Sequence, residues 1–222
     1  VKALLVDLFS TLVPGGDAER EVVNQAMCEV LGVDAEAFTR EFAATSYERF
    51  IGAYGDLPST LRVIARRTGA DPSDKQVLDA TAMRRDLSRR LLSAAPAGTL
   101  AALEALRSAG WRLGLVSNIT SETQLQWAHS PLPPYFETTA FSAEVGAAKP
   151  EPKIYLAACN ALEVEPTDCI YIGDGNDKEL PGAAALGMHA IRTTEHSNSD
   201  PAWTGPTIRS FTELPSLIGA PA

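Results

Sequence analysis

The 222-residue sequence predicts an α/β protein: a Rossmann-like, mostly parallel sheet flanked by helices, with a four-helix-bundle-like insertion after the first strand. Three observations carry that expectation. A short apolar run, Ala3 to Val6, stands at the front and is soon followed by Pro14-Gly15-Gly16, which suits a buried strand of a parallel sheet better than a helix. From Asp17 to about Ala94 only helical patterns follow. Beyond Ala94, strands and helices alternate, as parallel neighbours joined by crossovers require.

In the insertion, Asp17 is a suitable N-cap for a helix that sets Val22, Val23, Ala26, Met27 and Val30 on one face and ends near Gly32. Asp34 caps a second helix, through Phe38, Phe42, Tyr47, Phe50 and Ile51 to Gly55. Pro58 opens a third (Leu61, Ile64, Ala65), and Asp71-Pro72 starts a fourth, through Val77, Leu78, Met83, Leu87 and Leu91. Four amphipathic helices on short loops predict an antiparallel bundle, with the aromatics in its core.

Ala94-Ala-Pro-Ala-Gly98 leads back to the sheet. A helix over 100–108 precedes a strand over 112–116, which ends at Ser117-Asn118. A helix from Ser121, a Pro131–Pro134 loop and a strand over 138–142 lead to Lys149-Pro150. A helix over 152–162 and a strand over 169–172 run into Gly173-Asp174. A helix over 179–186, a strand over 188–192, a polar loop over 193–206, a short strand over 207–209 and a C-terminal helix complete the chain. The expected division is a core of residues 1–13 and 97–222 and a helical cap of 14–96. A cap inserted there would sit over the edge where open α/β sheets bind ligands, excluding water and selecting substrates.

Composition narrows the function. At 45% hydrophobic and 21% charged residues the chain is ordinary globular material, long enough for a substantial core. A net charge of -9 argues against nucleic-acid partners, because phosphate contacts need a basic surface. The paired arginines, Arg66-Arg67, Arg84-Arg85 and Arg89-Arg90, read as solvated helix faces. Cys28, Cys159 and Cys169 are scattered, without metal-type spacing, and read as reduced, buried thiols. No apolar run approaches the roughly 18 residues of a membrane span and no leader is read ahead of the first strand, so a cytoplasmic location without membrane partners is expected.

Four strand ends deliver chemistry to one edge: Asp7, Ser117-Asn118, Lys149 and Asp174. A carboxylate nucleophile, a hydroxyl, a cation and a second carboxylate suit phosphoryl transfer, with the lysine and a divalent cation neutralising phosphoryl oxygens. Taken singly, each residue has a structural reading. Asp7 could cap a turn and Asp174 a helix, and Asp177 and Glu179 could be acids favoured in a first helical turn.

The set Asp7-Leu-Phe-Ser-Thr11, Val116-Ser117-Asn118, Lys149-Pro150-Glu-Pro-Lys-Ile-Tyr155 and Ile172-Gly-Asp-Gly-Asn-Asp-Lys-Glu179 resembles the haloacid dehalogenase-like hydrolases with a helical cap after the first strand. That resemblance implies Asp7 as nucleophile through an aspartyl-phosphate, and Ser117 and Lys149 as phosphoryl-holding groups. It implies magnesium held by Asp7, the Phe9 backbone carbonyl and Asp174, with Asp177 or Glu179 in support. Phe9, Ser10, Thr11 and Asn118 are then the substrate-side residues of the motifs. The substrate would be a small phosphorylated metabolite, and the protein a monomer or homodimer.

One position departs from the pattern. Phosphatases of the family usually carry an aspartate two residues after the nucleophile, to protonate the leaving group and activate water. Here that residue is Phe9. A bulky aromatic there resembles instead the metal-independent 2-haloacid dehalogenases, whose last motif generally lacks the Gly-Asp pair present here as Gly173-Asp174. A phosphatase is therefore expected, against two alternatives: a 2-haloacid dehalogenase, and a catalytically impaired relative that binds a ligand.

Overall fold

The computed structural model describes residues 3–220, so the outermost residues of the expected core, 1–2 and 221–222, lie outside the described residues. Six strands, β1 (Ala3–Val6), β2 (Arg112–Ser117), β3 (Thr138–Phe141), β4 (Cys169–Gly173), β5 (His189–Thr193) and β6 (Thr207–Ile208), form one sheet. Its order is β3-β2-β1-β4-β5-β6, and every pairing is parallel. The chain runs outward from β1 to β3, then crosses to β4 on the other side of β1. The crevice of such a sheet opens where the order reverses, here beyond β1 and β4.

All four residues of β1 are buried, as expected for a strand covered on both faces. Leu4 and Val6 point into one cluster, with Leu103 and Leu106 of α6 (Ala97–Ser108) and Leu214 of α11 (Leu214–Ile218). Ala3 and Leu5 point into the other, with Ile154 and Tyr155 of α9 (Pro152–Ala161) and Leu180 of α10 (Glu179–Ala185). Two short helices, α7 (Ser121–Trp127) and α8 (Ser142–Val145), follow β2 and β3. The three cysteines are buried and unbridged.

The insertion holds five helices rather than four: α1 (Asp17–Leu31), α2 (Ala35–Ala44), α3 (Ser46–Phe50), α4 (Leu57–Arg67) and α5 (Asp74–Ser93). The expected second helix breaks at Thr45, whose hydroxyl donates to the Glu41 carbonyl (2.7 Å), while the Arg49 guanidinium donates to the Phe42 carbonyl (2.8 Å). Side-chain donors to helix carbonyls compete with the backbone ladder in this way. The caps also differ from expectation. Gly16, not Asp17, precedes α1, at φ 73°, and a Cβ there would meet Leu91 Cδ2 at 2.3 Å. Ser73, not Asp71, caps α5, in a reciprocal capping box with Gln76.

Met27, Leu31, Phe38, Leu61, Ile64 and Val77 give the insertion a hydrophobic cluster of its own. Leu61 is fully buried in it, so L61A is expected to cost ~2–5 kcal/mol by cavity formation, measured by urea unfolding; a loss below ~1 kcal/mol would show that the cluster closes around the gap. The insertion meets the sheet domain chiefly through α5 and α7. There Arg84 pairs with Glu122 at 3.3 Å, both side chains buried, and Ser88 hydrogen-bonds Thr123 at 3.2 Å. Arg84 thus departs from the solvated face expected of it.

Candidate active site

The end of β1 places Asp7 beside β4, where its backbone N–H donates to the Ile172 carbonyl (2.9 Å). Leu8 to Val13 then curl back, with Leu12 N–H on the Leu8 carbonyl (2.8 Å) and Ser10 N–H on the Val13 carbonyl (2.7 Å). Ser10 sits at φ 62° in this turn, a conformation uncommon outside glycine. The curl returns Thr11, fully buried, to donate to Asp7 Oδ2 (3.0 Å).

Lys149 Nζ lies 2.5 Å from Asp7 Oδ1 and 2.5 Å from Glu179 Oε2. Asn118 orients the lysine through its backbone: Asn118 Oδ1 accepts from Lys149 N–H (2.8 Å). The Asn118 amide also donates to Asp177 Oδ2 (2.8 Å). Glu179 accepts from Tyr171 Oη at Oε2 (2.7 Å) and from Gly175 N–H at Oε1 (2.9 Å). A Cβ at Gly173 would stand 2.1 Å from Glu179 Oε1, so glycine before Asp174 is what lets this buried carboxylate approach the strand end. Asp174 accepts from Asn176 N–H at Oδ1 (3.2 Å) and from Ser199 Oγ at Oδ2 (2.5 Å).

Asp7, Asp174 and Glu179 are all buried, and each offers an oxygen within 4.8 Å of the others'. Three carboxylates against the single ammonium of Lys149 leave excess negative charge out of water. Burial, with the field of Asp174, outweighs Lys149 and raises the Asp7 pKa. Burial likewise lifts Glu179, to about 8. Burial alone would lower the Lys149 pKa, but Asp7 and Glu179 more than offset it and the ammonium is held charged. All-oxygen donors with surplus negative charge match a hard divalent cation, so the cluster can hold a metal. Glu179 accepts from three protein donors and stands outside the cleft lining, whereas Asp7 and Asp174 accept from two each and both face the cleft. Asp7 and Asp174 are therefore the more accessible ligands and Glu179 the group that anchors Lys149.

Asp7, Lys149 and Asp174 line a cleft of about 400 Å³. On the sheet side it is bounded by Asp7, Phe9, Ser10, Ser117, Asn118, Lys149, Asp174 and Asp177. Thr11 stands behind Asp7 rather than in the lining, and Asp177 is exposed where Glu179 is fully buried. On the insertion side the lining includes Arg20, Asn24, Phe42, Arg49, Phe50 and Arg84, none of them singled out from the sequence as a site residue. A signal for Arg84 existed: it falls on the buried stripe Val77, Ala80, Arg84, Leu87, Leu91 of α5, where a solvated arginine does not belong. Ser199 lies in an irregular polar loop with no periodicity to mark it.

An all-parallel sheet with a helical insertion after β1 and a lysine-bridged cluster of buried acids at its crevice defines an α/β enzyme fold with its polar chemistry under a cap. The chain belongs to the haloacid dehalogenase-like hydrolases, whose family model matches residues 1–187. It is 29% identical over 195 residues to a glyceraldehyde 3-phosphate phosphatase of Methanopyrus kandleri, covering 86% of this chain and 83% of that one. It is 28% identical over 145 residues to (S)-2-haloacid dehalogenase 1 of Pseudomonas sp. (strain CBS-3), covering 61% and 63%. Among solved structures, the HAD phosphatase from Thermococcus onnurineus shares the fold, with a TM-score of 0.71 at 23% identity and full coverage of both chains. Among the described residues no helix is long and apolar enough to cross a membrane.

Proposed function

We propose that this hydrolase is a magnesium-dependent phosphatase acting on a small phosphorylated metabolite, with residues 14–96 as its cap. The observation that carries the reading is that Asp7 and a second buried carboxylate, Asp174, stand together at the ends of β1 and β4, each offering an oxygen within 4.8 Å of the other's. Two adjacent acids would repel an anionic substrate unless a cation lay between them. Asp7, the Phe9 backbone carbonyl and Asp174 would hold magnesium, which when bound neutralises phosphoryl oxygens. The phosphatase name of the Methanopyrus relative supports the same chemistry.

In this reading one Asp7 carboxylate oxygen attacks phosphorus. The P–O bond to the substrate alcohol breaks, and the aspartyl-phosphate is then hydrolysed by water, which releases phosphate and restores the carboxylate. Thr11 fixes one Asp7 oxygen and Lys149 the other, so the nucleophile is held in one orientation. Ser117, buried at the end of β2 and lining the cleft, and Lys149 would receive the phosphoryl oxygens. With Phe9 two residues on, no acid there protonates the leaving oxygen. Esters of acidic alcohols such as p-nitrophenyl phosphate are therefore expected to turn over best.

A second reading has a specific observation behind it. Phe9 and the similarity to (S)-2-haloacid dehalogenase 1 both favour attack of Asp7 on the carbon of a 2-haloacid without metal. Assays of p-nitrophenyl phosphate and 2-chloropropionate, each with magnesium and with EDTA, separate the two. Phosphate release that falls to background with EDTA and in D7N is expected. Halide release that persists in EDTA would replace the phosphatase reading with the dehalogenase one.

A further inference from the structure

The insertion brings three arginines to the cleft from three helices: Arg20 from α1, Arg49 from α3 and Arg84 from α5. Arg49 is 9% exposed and Arg84 is 5% exposed. Each is held in place by contacts that leave charge to spare. The Arg20 guanidinium lies over the Phe9 ring, 4.6 Å from its centroid, with Nε donating to the Gly15 carbonyl (2.8 Å). Arg49 stacks on Phe42 at 3.6 Å and donates to the Phe42 carbonyl, while its buried Nε has no partner among the described residues. Arg84 donates to Glu122 and to Asn24 Oδ1 (3.2 Å).

Glu122 is the buried carboxylate facing this group. Asp17 and Glu19 beside Arg20 are exposed. Three clustered guanidiniums against one buried carboxylate are a costly arrangement unless something anionic enters. Burial and the neighbouring Arg84 charge accordingly lower both the Arg20 and the Arg49 pKa, each to about 10. The cleft is therefore bipolar, with acids and Lys149 at the sheet edge and arginines under the cap.

We propose that Arg20, Arg49 and Arg84 clamp a second anionic group of the substrate, so that the ester hydrolysed at Asp7 carries a carboxylate or a further phosphate away from the scissile phosphate. The proposal rests on the phosphatase reading and sharpens its substrate class. Guanidinium forks suit either anion through paired hydrogen bonds, and the unpartnered Arg49 Nε supplies a donor already desolvated. A cleft of about 400 Å³ has room for a small compound that carries two anionic groups.

The test uses the full chain as the non-turning-over D7N variant with magnesium, titrated calorimetrically with three probes on one carbon skeleton. Glycerol 3-phosphate carries one anionic group, 3-phosphoglycerate adds a carboxylate, and glycerol 1,3-bisphosphate adds a phosphate. At least one doubly anionic probe is expected to bind about tenfold or more tightly than glycerol 3-phosphate, and which one it is identifies the anion. R49Q in the same background is expected to erase that gain and R49K to keep part of it. R20Q, at a half-buried position, replaces R49Q if circular dichroism shows the latter unfolded.

Equal affinity for all three probes, or a gain that survives these substitutions, would overturn the clamp. Hydrolysis of p-nitrophenyl phosphate by the unmodified enzyme reports separately on the phosphatase reading. Turnover without a binding gain sinks the clamp alone, and an arginine-dependent gain without turnover sinks the phosphatase alone.

Discussion

F9D is expected to raise kcat for p-nitrophenyl phosphate hydrolysis by about 10²-fold, the lower end of what a positioned general acid–base group supplies. The backbone at this position is already set by the turn that follows β1, because Phe9 bridges to Val13 and Ser10 N–H bonds the Val13 carbonyl. A carboxylate two residues after Asp7 would therefore enter the same cleft that the ring lines. It would also meet Arg20, whose guanidinium now lies on the ring. An opposite charge favours the ionised carboxylate, which makes the new group a better base for activating water than an acid for the leaving alcohol. That is why the lower end of the range is expected.

Two controls make the F9D result readable. F9N matches the shape without proton transfer and should give no gain. Loss of the apolar ring, which packs against the sheet core, should lower the melting temperature in both variants alike. A folded F9D enzyme no faster than F9N would show that a missing acid–base group is not what limits phosphate-ester hydrolysis here.

The strands and the acids they carry were legible because parallel-sheet strands are short apolar runs closed by turn residues, and Asp7, Ser117 and Asp174 all sit at such closures. The parallel pairing follows from the same alternation, whereas the order β3-β2-β1-β4-β5-β6 does not, because alternation leaves open on which side of β1 each later strand is added. What escaped the sequence depends on tertiary contact. Thr45 breaks a continuous helical pattern through one hydroxyl and one arginine, neither distinguishable by periodicity from a surface residue. Gly16 takes the cap position because Leu91, 75 positions later, leaves no room for a side chain. The arginine group is assembled from three helices, so only Arg84, on an apolar stripe, carried a local sign of burial. Glu179 could be read as a metal-supporting acid or a first-turn acid, and only the packing shows it against Gly173, Tyr171 and Lys149.

K149M tests that packing most severely. Lys149 has a side chain 4% exposed and stands between two carboxylates that are buried as deeply. Removing one partner of a buried ion pair typically costs ~3–5 kcal/mol, which in a chain of this length is a fall in melting temperature on the order of 10 °C. Phosphatase turnover should fall to background, since the ammonium that holds Asp7 Oδ1 is also the one that would receive the phosphoryl group in the proposed reaction.

The stability loss should also depend on pH, measured with EDTA present. Asp7 and Glu179 bind protons more tightly folded than unfolded, Glu179 with a pKa of about 8, and without the ammonium both rise further. Folded protein then holds more protons than unfolded protein over the interval above the ordinary carboxylate range, so stability falls as pH rises through it. K149M is therefore expected to be closest to the unmodified protein near pH 5 and furthest from it near pH 8. Adding E179Q should recover part of the melting temperature, because the amide keeps the size of Glu179 without a charge to bury, while turnover stays lost for want of the cation at Asp7. A K149M protein that melts like the unmodified one from pH 5 to 8 would mean that Lys149 does not balance these carboxylates, and both the ion-pair account and the role given to Glu179 would fall with it.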